Sequence, residues 1–159
     1  MASTITSATM KVTLAEQIIL NGRDQGSKNE LSVSGINEIS KRIVTITTTE
    51  STIATFSAAV ASAGHYVAAN VRYMRFTNKD DTNFITLTFR NQDNDEAAIK
   101  LDAGQSFIWN GDNVDGMTAV LNATQDADAA SSTNFGSLTN IQADADTAAV
   151  DLEVFIASV

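Results

Sequence analysis

Hydrophobic and polar residues alternate along much of the chain with a period of two. In residues 84–89, the side chains of Ile85, Leu87 and Phe89 fall on one face and threonines fall on the other. This pattern is typical of a strand in an antiparallel sheet with one face in the core. Residues 149–157 alternate in the same way over a longer stretch, which predicts a central strand.

Seven further segments show strand-like patterns, and clusters of Asn, Asp and Gly separate them. They are residues 11–20, 31–34, 43–48, 71–77, 97–101, 106–109 and 117–121. Short strands at this spacing, together with many β-branched residues, indicate a sandwich or barrel. We therefore predict an all-β fold, an antiparallel β-sandwich or barrel of about eight or nine strands.

The pattern leaves two segments less well defined. Residues 51–62 fit either a strand or an alanine-rich helix with capping residues at both ends, and the neighbouring strand pattern favours the strand. Residues 124–147 are rich in Asp, Ala and Ser, which predicts a long surface loop. The predicted organisation is a polar N-terminal arm, residues 1–10, followed by a single β-sandwich domain, residues 11–159.

The composition restricts the chemistry that the chain can carry. Among 159 residues there is no Cys, which excludes disulfides, thiolate zinc sites and thiol nucleophiles. Nineteen acidic residues against ten basic ones give a formal net charge of −9, which argues against nucleic acid as a main partner. The chain has neither a signal-peptide pattern nor an apolar run of membrane-spanning length, so we expect a soluble protein made in a cytoplasm, without a membrane partner.

No residue pattern points to catalysis. His65 is the only histidine and the nucleophile-elbow motif G-x-S-x-G is missing, so we interpret His65 as an ordinary packed or surface residue. Carboxylates are abundant, but nothing in the sequence selects a pair at the separation that glycosidases need. We therefore predict that the protein is not an enzyme and binds no cofactor.

One acidic turn is a candidate for calcium binding. Asp112, Asn113 and Asp115 precede Gly116, and oxygen ligands on a sharp glycine turn suit Ca²⁺. Compared with the EF-hand loop, however, the segment lacks acidic residues at the first and twelfth positions. Two interpretations stay open, a simple turn, which the pattern favours, and a calcium site of the extracellular type.

Residues 71–76 interleave basic and aromatic side chains, a pattern found in proteins that bind single-stranded nucleic acid. On a strand, Tyr73 lies on the same face as Arg75, whereas Met74 and Phe76 lie on the other face. Because the aromatic rings are split between two faces and the net charge is acidic, we place these rings in the core or at an interface.

A longer motif carries a resemblance. Residues 71–85 contain a strand followed by Asn78 and Asp80, and residues 99–108 contain an Ala-Gly turn that leads into a second strand. These segments resemble small virion structural proteins of tailed phages, especially marine and cyanobacterial ones, and residues 143–156 resemble the last strand of that family.

The resemblance implies a jelly-roll-like β-sandwich in a phage virion. Its function would be that of a non-enzymatic structural component, a capsid decoration or cement protein or another particle-surface or tail-associated protein. Its partners would be further copies of itself, in a symmetric homo-oligomer, and other virion proteins. Within the motif we expect residues 78–81 to form a tight hairpin and residues 103–104 a turn.

The N-terminal arm and the long loop are the predicted contact segments, because extended chain can lie along an edge strand of a neighbouring subunit. The candidate interface residues are Thr4, Ile5, Met10, Phe135, Leu138 and Ile141.

A second function stays open, a carbohydrate-binding β-sandwich module of a tail fibre or adhesin. Surface glycans would then stack on Tyr66, Tyr73 or Trp109. Trp109 is the only tryptophan and lies two residues after Phe107 on an alternating strand, which favours a position in the core or at an interface.

Overall fold

The computed structural model describes residues 5–111 and 137–159. Within these ranges every regular element is a β-strand, apart from one short turn of 3-10 helix. The chain divides into two compact units, an N-terminal unit that ends at Glu38 and includes Val159, and a second unit, Ile39–Ser158. The fold class predicted from the alternation is confirmed, because the protein is all-β and its antiparallel sheets pack as a sandwich.

The N-terminal unit is a β-ribbon made of one long hairpin. Its strands are β1 (Ala8–Glu16), β2 (Ile19–Leu20), β3 (Arg23–Asp24) and β4 (Ser27–Ile36). β1 pairs with β4 and β2 with β3, and both pairs are antiparallel. The connecting residues Asn21 and Gly22 have φ angles of 51° and 75°, which the tightest two-residue hairpin turns require.

This ribbon differs from the organisation predicted from the sequence. The prediction places a polar arm at residues 1–10, but β1 begins at Ala8, which pairs with Ile36 of β4. Small polar side chains do not prevent such pairing, because the backbone forms the hydrogen bonds of the ladder. The ribbon is also a unit of its own by its internal contacts, whereas the sequence predicts one domain from residue 11 onward.

Nine further strands of the described ranges build the second unit. They are β5 (Glu38–Ile46), β6 (Ser51–Ser57), β7 (His65–Val67), β8 (Val71–Asn78), β9 (Ile85–Asn91), β10 (Glu96–Leu101), β11 (Ser106–Asn110), β12 (Leu138–Ala145) and β13 (Val150–Ser158). One sheet has the order β10-β9-β12-β6-β7, and the other has the order β11-β8-β13-β5. β6 and β7 run parallel to each other, while β8, β9 and β12 run antiparallel to their neighbours.

The two sheets face each other across a core of alternating side chains. On β9, Ile85, Leu87 and Phe89 are fully buried, as the sequence pattern predicts. The Phe89 ring contacts the Phe107 ring of β11, which belongs to the opposite sheet, with ring centres 5.4 Å apart. Alternate residues along β13 also lie in this core, so both sheets contribute to one hydrophobic interior.

β6 confirms the strand interpretation of the segment that also fits a helix. Ser51–Ser57 pairs with β12 on one side and with β7 on the other. Ile53 and Phe56 are buried in the core. The helix alternative is wrong for this segment, because its backbone groups bond to neighbouring strands rather than to each other.

Part of the predicted long loop is a central strand. β12 lies between β9 and β6, and Ile141, Ala143 and Ala145 are buried. The loop prediction is wrong for Leu138–Ala145, because alanine contributes little of the hydrophobic signal that periodicity depends on. The rest of that loop up to residue 136, and the predicted strand at residues 117–121, lie outside the described residues.

The connections after β8 and β10 cross between the two sheets. β8 and β9 belong to different sheets, so the predicted tight hairpin at residues 78–81 is wrong. Turn-forming residues give the same signal whether the next strand returns to the same sheet or enters the facing one. The predicted turn at residues 103–104 is present, with Gly104 at φ 74°, and it leads from one sheet to the other.

Candidate interaction surface

One face of the ribbon carries a group of apolar side chains that are exposed or only partly buried. In the register of β1 and β4, Met10 lies opposite Val33 and Val12 lies opposite Leu31, so each pair points to one side. Leu14 follows on the same side of β1 and is 52% exposed. We call these five residues the apolar ribbon face.

The opposite face of the ribbon is polar. Lys11 pairs with Ser32 and Thr13 pairs with Glu30. The Lys28 ammonium lies 2.7 Å from the Glu30 carboxylate, where both side chains are largely exposed. The ribbon therefore has the two-sided character of a sheet with one face against a core, yet Leu14 and Leu31 of its apolar face are exposed.

The end of the ribbon also exposes apolar side chains. Ile18, Ile19 and Leu20 precede the hairpin turn, and each is more than half exposed, with Ile19 at 71%. We call these three residues the ribbon tip. Single exposed hydrophobic residues are common on proteins, but a contiguous group is typical of contact surfaces.

Both outer edges of the ribbon carry backbone groups open to pairing. β1 and β4 form a sheet of two strands, and neither has a second partner strand among the residues that the structure describes. A two-stranded ribbon is only marginally stable in water unless its apolar face packs against another surface. Unpaired edge strands are also templates for pairing with another chain.

Arg75, which the sequence singles out beside Tyr73, is engaged in contacts within the sandwich. Its guanidinium forms an ion pair with Glu153 and lies 5.9 Å from the centre of the Phe155 ring. The Tyr73 ring meets the same Phe155 ring edge-on, with centres 5.9 Å apart. The hydrogen bond from Arg75 lowers the pKa of Glu153, and burial raises the pKa of Tyr73. The arginine of this motif thus holds β8 to β13.

The Asn-x-Asp motif fixes the crossing between β8 and β9. The buried Asn78 amide donates to the carbonyl oxygens of Asn83, at 2.8 Å, and Leu101, at 3.1 Å, and its side-chain oxygen accepts from the Asp80 amide at 2.9 Å. The Asp80 carboxylate accepts from the Asn83 and Thr82 amides, and these bonds lower the pKa of Asp80. The motif therefore connects loops through hydrogen bonds.

The structure separates the candidate interface residues predicted from the sequence. Met10 lies on the apolar ribbon face, and Ile5 precedes β1 and is strongly exposed. Leu138 and Ile141 are buried in the core of the sandwich, so the proposal that they contact a partner is wrong. They appear as loop anchors in the sequence because the strand around them is weakly patterned.

Other predicted site residues lie outside the described ranges. They are the interface candidates Thr4 and Phe135 and the calcium candidates Asp112, Asn113 and Asp115. Within residues 5–111 and 137–159, no three His, Asp or Glu side chains are grouped in a way that could hold a metal ion.

The aromatic rings proposed for sugar stacking are buried. Tyr66, Tyr73 and Trp109 are 4%, 5% and 6% exposed, and the Tyr66 hydroxyl donates to Ser40 at 2.9 Å. A stacking platform needs an open ring face, so these three residues do not form one. The core position favoured for Trp109 is confirmed.

His65 lies on β7 and is half-buried. It lines a cleft of about 210 Å³ together with Arg42 and Thr55. The Arg42 guanidinium donates to the backbone carbonyl of Ile53 there. None of the helical segments in the described part of the chain has the length and apolar character to cross a membrane.

The apolar ribbon face and the ribbon tip were not identified as surfaces from the sequence. Their signal is present, because residues 11–20 alternate and are predicted to form a strand. Periodicity alone does not distinguish a face that packs in the chain's own core from a face that is left open.

No family model, curated protein or solved structure matches the chain. The function proposed for it therefore depends on the contacts described above.

Proposed function

We propose that the protein is a non-enzymatic structural component of a phage virion, a capsid decoration or cement protein or another particle-surface protein, that assembles through its N-terminal ribbon. The observation that carries the proposal is the apolar ribbon face, which includes the exposed Leu14 and Leu31 on a sheet of only two strands. A surface of this kind is suited to binding a neighbouring subunit.

The order of the strands supports a jelly roll as the architecture. Without the short β7, the described part of the sandwich has eight strands, β5, β6 and β8 to β13. In chain order the first lies beside the eighth, the second beside the seventh, the third beside the sixth and the fourth beside the fifth. Jelly rolls have this arrangement, and viral capsid domains and lectins are among the proteins that use it.

The contacts of the polar motifs also support a structural role. Asn78 and Asp80 join loops by hydrogen bonds, and Arg75 joins two strands by an ion pair with Glu153. Each of these side chains is bonded to other residues of the chain. Residues that connect elements in this way are what an assembly subunit needs to keep its shape.

Glycan binding by a fibre or adhesin module is the alternative function. Lectins also use jelly rolls, so the strand order does not discriminate between the two functions. The burial of Tyr66, Tyr73 and Trp109 removes the rings on which that alternative was based. A sugar site would need a different surface, and the apolar ribbon face lacks the polar groups that hold sugar hydroxyls.

Electron microscopy of purified particles tests the proposal. Antibodies raised against the purified protein, carrying gold, are applied to particles of the phage whose genome encodes the chain. We expect labels on the particle surface, and a copy number by quantitative mass spectrometry that is a multiple of the particle symmetry. An enzyme from the same lysate is the negative control.

The proposal is wrong if the protein is abundant in the lysate but absent from purified particles. Binding of the purified protein to a glycan array, together with absence from particles, would instead support the sugar-binding alternative.

A further inference from the structure

We infer that the partner of the apolar ribbon face is the same face of a second copy of this chain. The inference rests on the proposed assembly function and names the partner and the surface. Its starting point is that the ribbon is a sheet of two strands whose apolar face includes two exposed leucines, Leu14 and Leu31. Packing against another apolar layer is what gives such a ribbon independent stability.

The face is complementary to itself. All five of its members, Met10, Val12, Leu14, Leu31 and Val33, are uncharged and apolar. A two-fold axis through the middle of the face would place apolar side chains against apolar side chains in both copies, which is the geometry of an isologous contact. Lys11, Lys28 and Glu30 would then remain on the solvent side, where Lys28 and Glu30 already pair, and Glu16 would lie at the end of the contact, beyond Leu14.

The distribution of charge favours a second copy as the occupant. Residues 1–38 contain three basic and four acidic residues, so the ribbon unit has a net charge of −1. The whole chain has a net charge of −9, and nearly all of the excess lies after residue 38. Two ribbons can therefore approach without the like-charge repulsion that contact between two sandwiches would produce.

The size of the face predicts how strong the contact is. The apolar positions of β1, from Met10 to Leu14, span about 14 Å, and two strands are about 10 Å wide, so the face covers roughly 140 Å² on each copy. Stable protein pairs of standard size bury about 800 Å² on each partner. We therefore expect a reversible complex that depends on concentration, and that gains strength when many copies are arranged on one particle.

Sedimentation velocity of the full-length protein over a range of concentrations tests the inference. We expect the wild-type chain to dimerise and Val12→Asp to raise the apparent Kd by at least tenfold, because each dimer then buries two carboxylates. The matched control is Thr13→Asp, which adds the same charge one residue further along, on the polar face. Trp109, the only tryptophan, reports that the sandwich is folded in every variant.

Cross-linking provides a second readout. The chain has no cysteine, so Val12→Cys and Thr13→Cys each introduce a single thiol. With a short bismaleimide reagent we expect dimers from Val12→Cys at low protein concentration, and at least tenfold fewer from Thr13→Cys. Equal yields from the two variants would contradict a contact between apolar faces.

Three results would overturn the inference. A wild-type chain that stays monomeric at all concentrations removes the second copy as the occupant. Equal association of the variants Val12→Asp and Thr13→Asp shows that association uses another surface. If the chain is monomeric by itself but needs Val12 to bind particles, the face contacts a different particle protein. The particle-labelling experiment is independent of all three, so the structural role can stand while this inference fails.

Discussion

The buried Asn78 provides the sharpest test of how the sandwich is held together. We consider Asn78→Ala, which removes a side chain that is fully buried between the loops after β8 and β10. The substitution deletes three hydrogen bonds, two donated to the carbonyl oxygens of Asn83 and Leu101 and one accepted from the Asp80 amide. The three backbone partners remain and have lost their bonds to residue 78.

The expected cost follows from these bonds. Each hydrogen bond contributes about 1 kcal/mol net, so three of them give a loss of about 3 kcal/mol in the free energy of unfolding. With a urea m-value of about 2 kcal/mol/M for a domain of this size, the midpoint falls by about 1.5 M. Unfolding is followed by the fluorescence of Trp109, which is buried in the same sandwich.

Two variants make the result specific. Thr82→Ala changes an exposed residue of the same loop, and we expect its free energy of unfolding to change by less than about 0.5 kcal/mol. Asn78→Asp keeps the shape and the acceptor but replaces two donated bonds with a carboxylate that faces carbonyl oxygens. It should be at least as unstable as Asn78→Ala at neutral pH. A loss below about 1 kcal/mol for either Asn78 variant would refute the role assigned to this side chain.

Two further predictions concern the core and the loop. Leu87→Ala, at a fully buried position of β9, should lower the free energy of unfolding by about 2–5 kcal/mol in the same urea assay. Thr86→Ala changes the neighbouring residue on the outer side of the strand, and we expect it to lower the free energy of unfolding by much less. The folded-state pKa of Asp80 lies below its ordinary value of 3.8, so the stability from its ionised form is present above that value and is lost as the pH falls below it. Asp80→Asn should therefore flatten the fall in the urea midpoint below about pH 4, and an unchanged slope would show that Asp80 does not contribute to it.

The fold class could be predicted because strand alternation is a local property of the sequence. The pattern at residues 84–89 predicts β9, and the pattern at residues 149–157 predicts β13 to within one residue at each end. The Ser51–Ser57 strand could also be chosen over a helix, because the segment lies among other strands. In each case the side chains that alternate are large enough to give a clear signal.

β12 and the sheet crossings could not be predicted, for physical reasons. Ala143 and Ala145 are buried because β12 is flanked by β9 and β6, and that position depends on partners distant in sequence. Asn78 begins a connection to the opposite sheet, but turn chemistry is the same for both kinds of connection. Strand pairing over long sequence separations determines both features.

The candidate interaction surface was only partly accessible from the sequence. Met10 is among the residues predicted for an interface, and it lies on the apolar ribbon face. Leu14 and Ile19 are in a segment predicted as a strand, but only the structure shows that their side chains are exposed. Leu138 was chosen as a loop anchor and is instead part of the core.

The position of β13 has a consequence for the order of events during folding. β13 lies between β8 and β5, and Thr45 of β5 donates a hydrogen bond to Asp151, which is 106 positions later in the chain. The four-stranded sheet can therefore close only after β13 has been synthesised, whereas the ribbon pairs within one hairpin and uses local contacts that form faster. We expect a newly made chain to present its ribbon before its sandwich is complete, so that neighbouring chains can meet while each is still folding.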